Sequence, residues 1–148
     1  MFKHIMLPID GSKLSMKAVK EGIALAKSTG AKITVLHVIS HFHINVEMGL
    51  GSKALKTIEK EHEEVARTGA QKVLDQVGAA AKKEGVECKG MVVVGDHPYQ
   101  EIIDNAAKGK CDLVVMASHG RRGLESLLLG SVTAKVLTHS KIPVLVVR

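Results

Sequence analysis

The residues best placed to do chemistry lie between Leu113 and Thr133. A short apolar run, Leu113-Val114-Val115-Met116, leads into Ala117-Ser118-His119-Gly120-Arg121-Arg122-Gly123, and after Leu124 to Leu129 the sequence Gly130-Ser131-Val132-Thr133 opens a helical stretch. Gly120 and Gly123 let a backbone approach a ligand closely, and Arg121 and Arg122 supply positive charge. Ser131 is a natural N-cap, and the amides that follow it would face an anion. These are the parts of a phosphate cradle. His119 is the only histidine inside it and could donate to a phosphate or poise a water, but no acid partner is placed beside it within the motif. The loop lacks the Gly-Lys-Ser or Gly-Lys-Thr of a P-loop, so any grip on phosphate would rest on amides, hydroxyls and arginine. A plain strand-to-helix turn would use the same glycines.

Such a loop needs a strand before it, a helix after it and neighbours to close the site. Lys3 to Ile9 is an apolar run stopped by Asp10-Gly11-Ser12, which predicts a buried strand entering a helix. Met16, Val19, Ile23 and Ala26 form one face of that helix, capped by Ser12 or Asp10 and ended by Gly30. Ile33 to Ile39 is the second strand. Ser40 to Lys56 reads as an irregular excursion. A helix is expected from Thr57 to Glu84, with Ala66, Ala70, Val73, Val77 and Ala81 as its apolar stripe and Gly69 and Gly78 weakening it. Val86 to Val94 is the third strand. Asp96 is expected to cap a helix that has Pro98 near its first turn and runs to about Lys108. Lys110 to Met116 and Ile142 to Val147 complete five strands, with a helix from about Ser131 to His139 between them.

Strands alternating with helices imply an α/β fold, a five-stranded parallel sheet covered on both faces. In the order 3-2-1-4-5 the ligand crevice falls between strands one and four, beyond their carboxyl ends, with Asp10 facing the Ala117 to Gly123 loop. Asp10 could hold a ribose or a metal, or cap the next helix.

Composition narrows the partners. The 148 residues are 45% hydrophobic, which suits one domain over 1–148 with a sizeable core. Lys and Arg number 21 against 15 Asp and Glu, a formal charge of +6, and the pI near 9.4 favours anionic partners. Phe2, Phe42 and Tyr99 are the only aromatics among Phe, Trp and Tyr, too few to stack splayed bases, so nucleic acid is not the expected ligand. No signal peptide and no membrane-length apolar run is recognisable, so a soluble cytoplasmic protein is expected. Cys88 and Cys111 begin strands that are not neighbours in the expected order, so no disulfide is expected. His41 and His43 alternate along an extended segment as two metal ligands might, but no carboxylate or cysteine is evident to complete a set, and no metal site is expected. Gly49-Leu50-Gly51-Ser52-Lys53-Ala54 matches a dinucleotide fingerprint in letters only, because it does not follow the first strand.

With the strands placed, the chain resembles the universal stress proteins over essentially its whole length. Leu7-Pro8-Ile9-Asp10-Gly11-Ser12, Leu36-His37-Val38, Gly95-Asp96 and the glycine loop through Val147 carry the resemblance. The family's ATP-binding branch is marked by Gly, two residues, Gly, nine residues, then Gly-Ser or Gly-Thr. Gly120 and Gly130-Ser131 match its second half, whereas Ala117 stands where the first glycine would be. The resemblance implies adenine near Val38 and the backbone around Pro8 and Ile9, and ribose near Asp10. Phosphates would sit on Gly120, Arg121, Gly130, Ser131, Val132 and Thr133, with Met116, Ala117, His119, Arg122 and Gly123 completing the nucleotide site. It also implies ATP, AMP or ADP as ligand, with Mg²⁺ accompanying the nucleotide at Asp10, and a homodimer paired through Val144 to Val147. The expected role is a nucleotide-linked regulatory module in stress response acting through a downstream protein, with slow or absent hydrolysis. The competing readings are a slow ATPase and a dimeric interaction protein that binds no nucleotide.

Overall fold

A computed structural model describes residues 1–43, 51–120 and 129–148. Five strands, β1 (His4–Ile9), β2 (Lys32–Ile39), β3 (Cys88–Val94), β4 (Leu113–Ala117) and β5 (Val144–Val147), form one parallel sheet in the order β3-β2-β1-β4-β5. The expected strand order and the alternation of strands with helices are therefore observed. In the register, Ile9 lies opposite His37, Ile5 opposite Leu113 and Val114 opposite Val144.

The period of two along β1 divides the core. Ile5, Leu7 and Ile9 point to one face, where they pack with Val19 and Ile23 of α1 (Lys13–Thr29) and with Leu74 and Val77 of α2 (Ser52–Lys83). Met6 points to the other, against Ile102 and Ala106 of α3 (Pro98–Lys108) and Val136 of α4 (Ser131–His139). Helices cover both faces, so every central strand must be apolar on both sides. Gly22 lets α1 lie close on β1, since a Cβ there would come within 2.5 Å of Leu7 Cδ2 and force the Leu7 side chain to shift.

The structure corrects several boundaries. α2 starts at Ser52, well before Thr57, and runs through Gly69 and Gly78 without a break. Its C-terminal half supplies the packing energy that outweighs the modest cost of a glycine in a helix. Leu74 is buried in its stripe, whereas Ala66 is only half-buried. The third, fourth and fifth strands begin two or three residues later than expected, because Val86, Cys111 and Ile142 belong to the connecting turns. Asp112 helps define one of those turns: its carboxylate accepts the backbone N–H of Lys3 at 2.8 Å and of His4 at 3.0 Å. Among the described residues, no helix is long and apolar enough to cross a membrane.

Candidate functional site

A cleft of about 580 Å³ opens at the carboxyl ends of the strands, where the winding direction reverses between β1 and β4. Pro8, Ile9 and Asp10 line one wall, and Met116, Ala117, His119 and Gly120 the other. Val38 of β2 also lines it, and Gly130, Ser131, Val132 and Thr133 line it from the start of α4. The sequence-expected residues that fall within the described part of the chain are thus brought to one cavity. Arg121, Arg122 and Gly123 lie outside the described residues, as do Gly49 and Leu50.

Asp10 is held by local geometry. Its Oδ1 accepts the backbone N–H of Ser12 at 2.9 Å, a turn that Gly11 permits with φ of 78°. Ser12, rather than Asp10, caps α1 by accepting the N–H of Ser15 at 3.2 Å. This leaves Asp10 Oδ2 directed at Gly120, occupying the space a Cβ on residue 120 would need. With the carboxylate in this position, a side chain at residue 120 would have to displace it.

The loop after β4 closes on itself. Gly130 donates its N–H to the carbonyl of Ser118 at 2.7 Å, and a Cβ on Gly130 would stand 3.1 Å from His119 Cα. Ser118 is buried, donates its own N–H to Val147 O at 2.8 Å and places its hydroxyl 3.2 Å from His119 Nδ1. Thr133, also buried, donates its hydroxyl to Ala117 O at 2.9 Å. That hydroxyl fastens α4 to the end of β4, so what Thr133 can offer an anion is its main-chain N–H.

Ser131 is not the N-cap: Gly130 holds that position, and Ser131 is the first residue of α4. The exposed Ser131 hydroxyl lines the cleft instead, beside first-turn amides that have no partner inside the helix. Ala117, in the place of a motif glycine, lies within β4 and pairs with Val147. Lys110 is the only described non-glycine residue with positive φ, so position 117 does not require glycine's freedom.

Sequence reasoning missed Ser15, Leu36, His37, Ser40, Pro98 and Ile102, which also line the cleft. Ser40 follows β2 and Pro98 opens the helix after β3, so the rule that ligands meet strand carboxyl ends could have found both. Asp96 does not cap α3. It accepts the backbone N–H of His41 at 3.2 Å, and its Oδ2 lies 3.2 Å from His41 Nδ1 and 3.3 Å from His43 Nε2. Partial desolvation, which would raise the Asp96 pKa, is outweighed by the hydrogen bonds from His41 and His43, and the net shift is downward. The carboxylate facing the two histidines is thus present, supplied by a different strand end. Even so, among the described residues no group of three His, Cys, Asp or Glu is arranged to hold a metal ion.

Fold and site together define a doubly wound parallel α/β protein with a helix N-terminus and one carboxylate converging on its switch-point cleft. The chain belongs to the universal stress protein family, whose model matches residues 1–148. It is 35% identical over 148 residues to the universal stress protein MJ0531 of Methanocaldococcus jannaschii, covering all of this chain and 83% of that protein. The solved structure of MJ0577 from the same organism superimposes with a TM-score of 0.85 at 31% identity, covering 99% of this chain and 96% of that one. A universal stress protein in complex with cAMP shares the fold at 24% identity, with a TM-score of 0.71, covering 99% of this chain and 97% of that one.

Proposed function

We propose that this chain is a nucleotide-binding regulatory protein that takes ATP, or its ADP and AMP relatives, in the cleft between β1 and β4. The observation that carries the proposal is the convergence of Asp10, Gly120 and the open first turn of α4 on one cavity. The base would lie by Val38 and the backbone of Pro8 and Ile9, with ribose at Asp10. The polyphosphate would run along Gly120 and the amides of Ser131, Val132 and Thr133, where the helix dipole favours negative charge. Arg121, Arg122 and Gly123 complete the set on the sequence side. Mg²⁺ would accompany the polyphosphate, with Asp10 as its protein-side carboxylate.

Hydrolysis is slow in this reading. Among the described residues that line the cleft, Asp10 is the sole carboxylate, and phosphoryl transfer draws on metal-held charge neutralisation and a positioned nucleophile. The protein would work as a single domain in the cytoplasm, as a homodimer joined through β5, and would signal through a downstream protein. The likeness to a cAMP complex supports a nucleotide in this fold, and the 1–148 match supports a stress-related role.

The test is thermal. At an ATP concentration of 100 times Kd, binding should add about 2.7 kcal/mol to stability. The absence of any rise in melting temperature with millimolar ATP, ADP or AMP would favour a dimeric interaction protein that holds no nucleotide.

A further inference from the structure

We infer that the end of the sheet opposite the cleft is a docking surface for an acidic segment of a partner protein. In a parallel sheet all strands begin at one end, and the helices that return the chain finish there. Lys3, Lys32, Lys89, Lys110 and Lys141 lie within three residues of the starts of the five strands. Lys27, Lys82, Lys83 and Lys108 lie in the last turns of α1, α2 and α3. All nine are exposed, and the acids among them are Glu84, Glu87 and Asp112. The excess of six positive charges at this end equals the formal charge of the whole chain.

The local acids leave most of this charge unspent. Glu84 is paired with Lys27 at 2.8 Å, and Asp112 is occupied by the backbone N–H groups of Lys3 and His4. Among the described residues, Lys27 is the only one of the nine lysines in an ion pair. Lysines in last helical turns are explained by the helix dipole, but the five at the strand starts are not.

Lys110 is the most telling. It adopts φ of 54°, a left-handed conformation that L side chains disfavour, while the adjacent Gly109 sits in the ordinary helical region at φ of −75°. Gly109 has a reason of its own, since a Cβ there would stand 3.0 Å from the Asn105 carbonyl oxygen, and a lysine stands at the next position, where a glycine would fit more easily.

The surface suits an extended run of carboxylates. Its cations are all lysine, point charges that pair with single carboxylates without a fixed geometry. The nearby aromatic, Phe2, is half-buried against the core and presents no stacking platform. Five strands at ~4.8 Å spacing make an edge roughly 19 Å across, which about six extended residues would span.

The experiment uses the full chain and a short fluorescein-labelled polyglutamate peptide, read by fluorescence anisotropy from about 0.1 M salt upward, where the Debye length is about 10 Å and charges on α2 are screened from the peptide. Wild type should bind, with affinity falling as salt rises. Combining Lys3→Glu, Lys32→Glu, Lys110→Glu and Lys141→Glu should weaken binding by about ten-fold or more. Combining Lys53→Glu, Lys56→Glu, Lys60→Glu and Lys72→Glu on α2 makes the same change in net charge and should leave affinity within about two-fold. Lys110→Gly should raise the melting temperature while weakening the peptide, which a purely structural lysine would not do. Equal losses in the two quadruple variants would reduce the surface to net charge alone and overturn the proposal. Tighter binding of duplex DNA or of phosphatidylserine vesicles at this end would overturn it in favour of a phosphate-bearing partner.

Discussion

Gly130 donates its backbone N–H to the carbonyl oxygen of Ser118 at 2.7 Å, so the chain that leaves β4 comes back to the point of departure before α4 begins. This bond aims the open end of α4 at the cleft. It also explains why residue 130 has no side chain, since His119 Cα and Cβ stand 3.1 and 3.2 Å from where a Cβ would be.

Gly130→Val should therefore abolish the ATP-induced rise in melting temperature. Overpacking against backbone costs typically 1–3 kcal/mol, so the unliganded variant should also melt lower while staying folded. Calorimetric titration decides the matter: a Kd within a few-fold of wild type would mean that the α4 mouth is not the phosphate site.

Gly120→Ala tests the other half of the cradle. The added methyl enters the space held by Asp10 Oδ2, so either the carboxylate or the loop must move. Nucleotide affinity should fall at least as far as it does in Asp10→Ala. Unchanged affinity would show that the Asp10 to Gly120 approach is incidental to binding.

Thr133→Val keeps the shape of a buried side chain and deletes its donor to Ala117 O. The stranded carbonyl should cost about 1–3 kcal/mol in urea denaturation. Because the α4 amides remain, nucleotide affinity per folded molecule should change little. A large affinity loss with normal stability would place the hydroxyl on the ligand instead.

Association through β5 predicts a concentration-dependent dimer. Val144–Val147 is an edge strand, and Leu145 on it is 43% exposed in the single chain. Leu145→Glu should shift sedimentation toward the monomer. If the wild type itself sediments as a monomer at high micromolar concentration, the β5 pairing is wrong.

Acid should loosen the opposite end of the sheet. Desolvation acts to raise the Asp112 pKa, but the N–H groups of His4 and Lys3 outweigh it and the net shift is downward. A carboxyl depressed in the folded state contributes stability above its unfolded pKa of about 3.9 and loses it as pH falls through the lower folded value. Melting temperature should therefore drop more steeply below about pH 4 in wild type than in Asp112→Asn. Parallel profiles would show that these bonds contribute nothing.

Much of this architecture was legible because burial on both faces of a parallel sheet demands continuous apolar runs. Val114 and Val115 are buried whichever way they point, and Gly30 ends α1 in a left-handed conformation that glycine adopts freely. The cleft was legible for a related reason: Asp10 and Gly120 both follow strands, and the strand order brings those ends together.

Other features depended on groups distant in sequence. The long helix through Gly69 and Gly78 was expected, but its start at Ser52 rather than Thr57 was not, since Ser40 to Lys56 carried no helical pattern. Asp96 looked like a cap for α3, but His41 and His43 arrive from the end of β2 and take its oxygens. Thr133 and Ser131 were both candidate anion ligands. The carbonyl of Ala117 claims the Thr133 hydroxyl, and the Gly130 turn releases that of Ser131. By itself the sequence determined which segments are buried and where the chain turns, since hydrophobicity and backbone freedom are properties of single residues. Only the tertiary structure decided which hydrogen-bonding groups remain free to meet a ligand, because that depends on partners brought in from other strands.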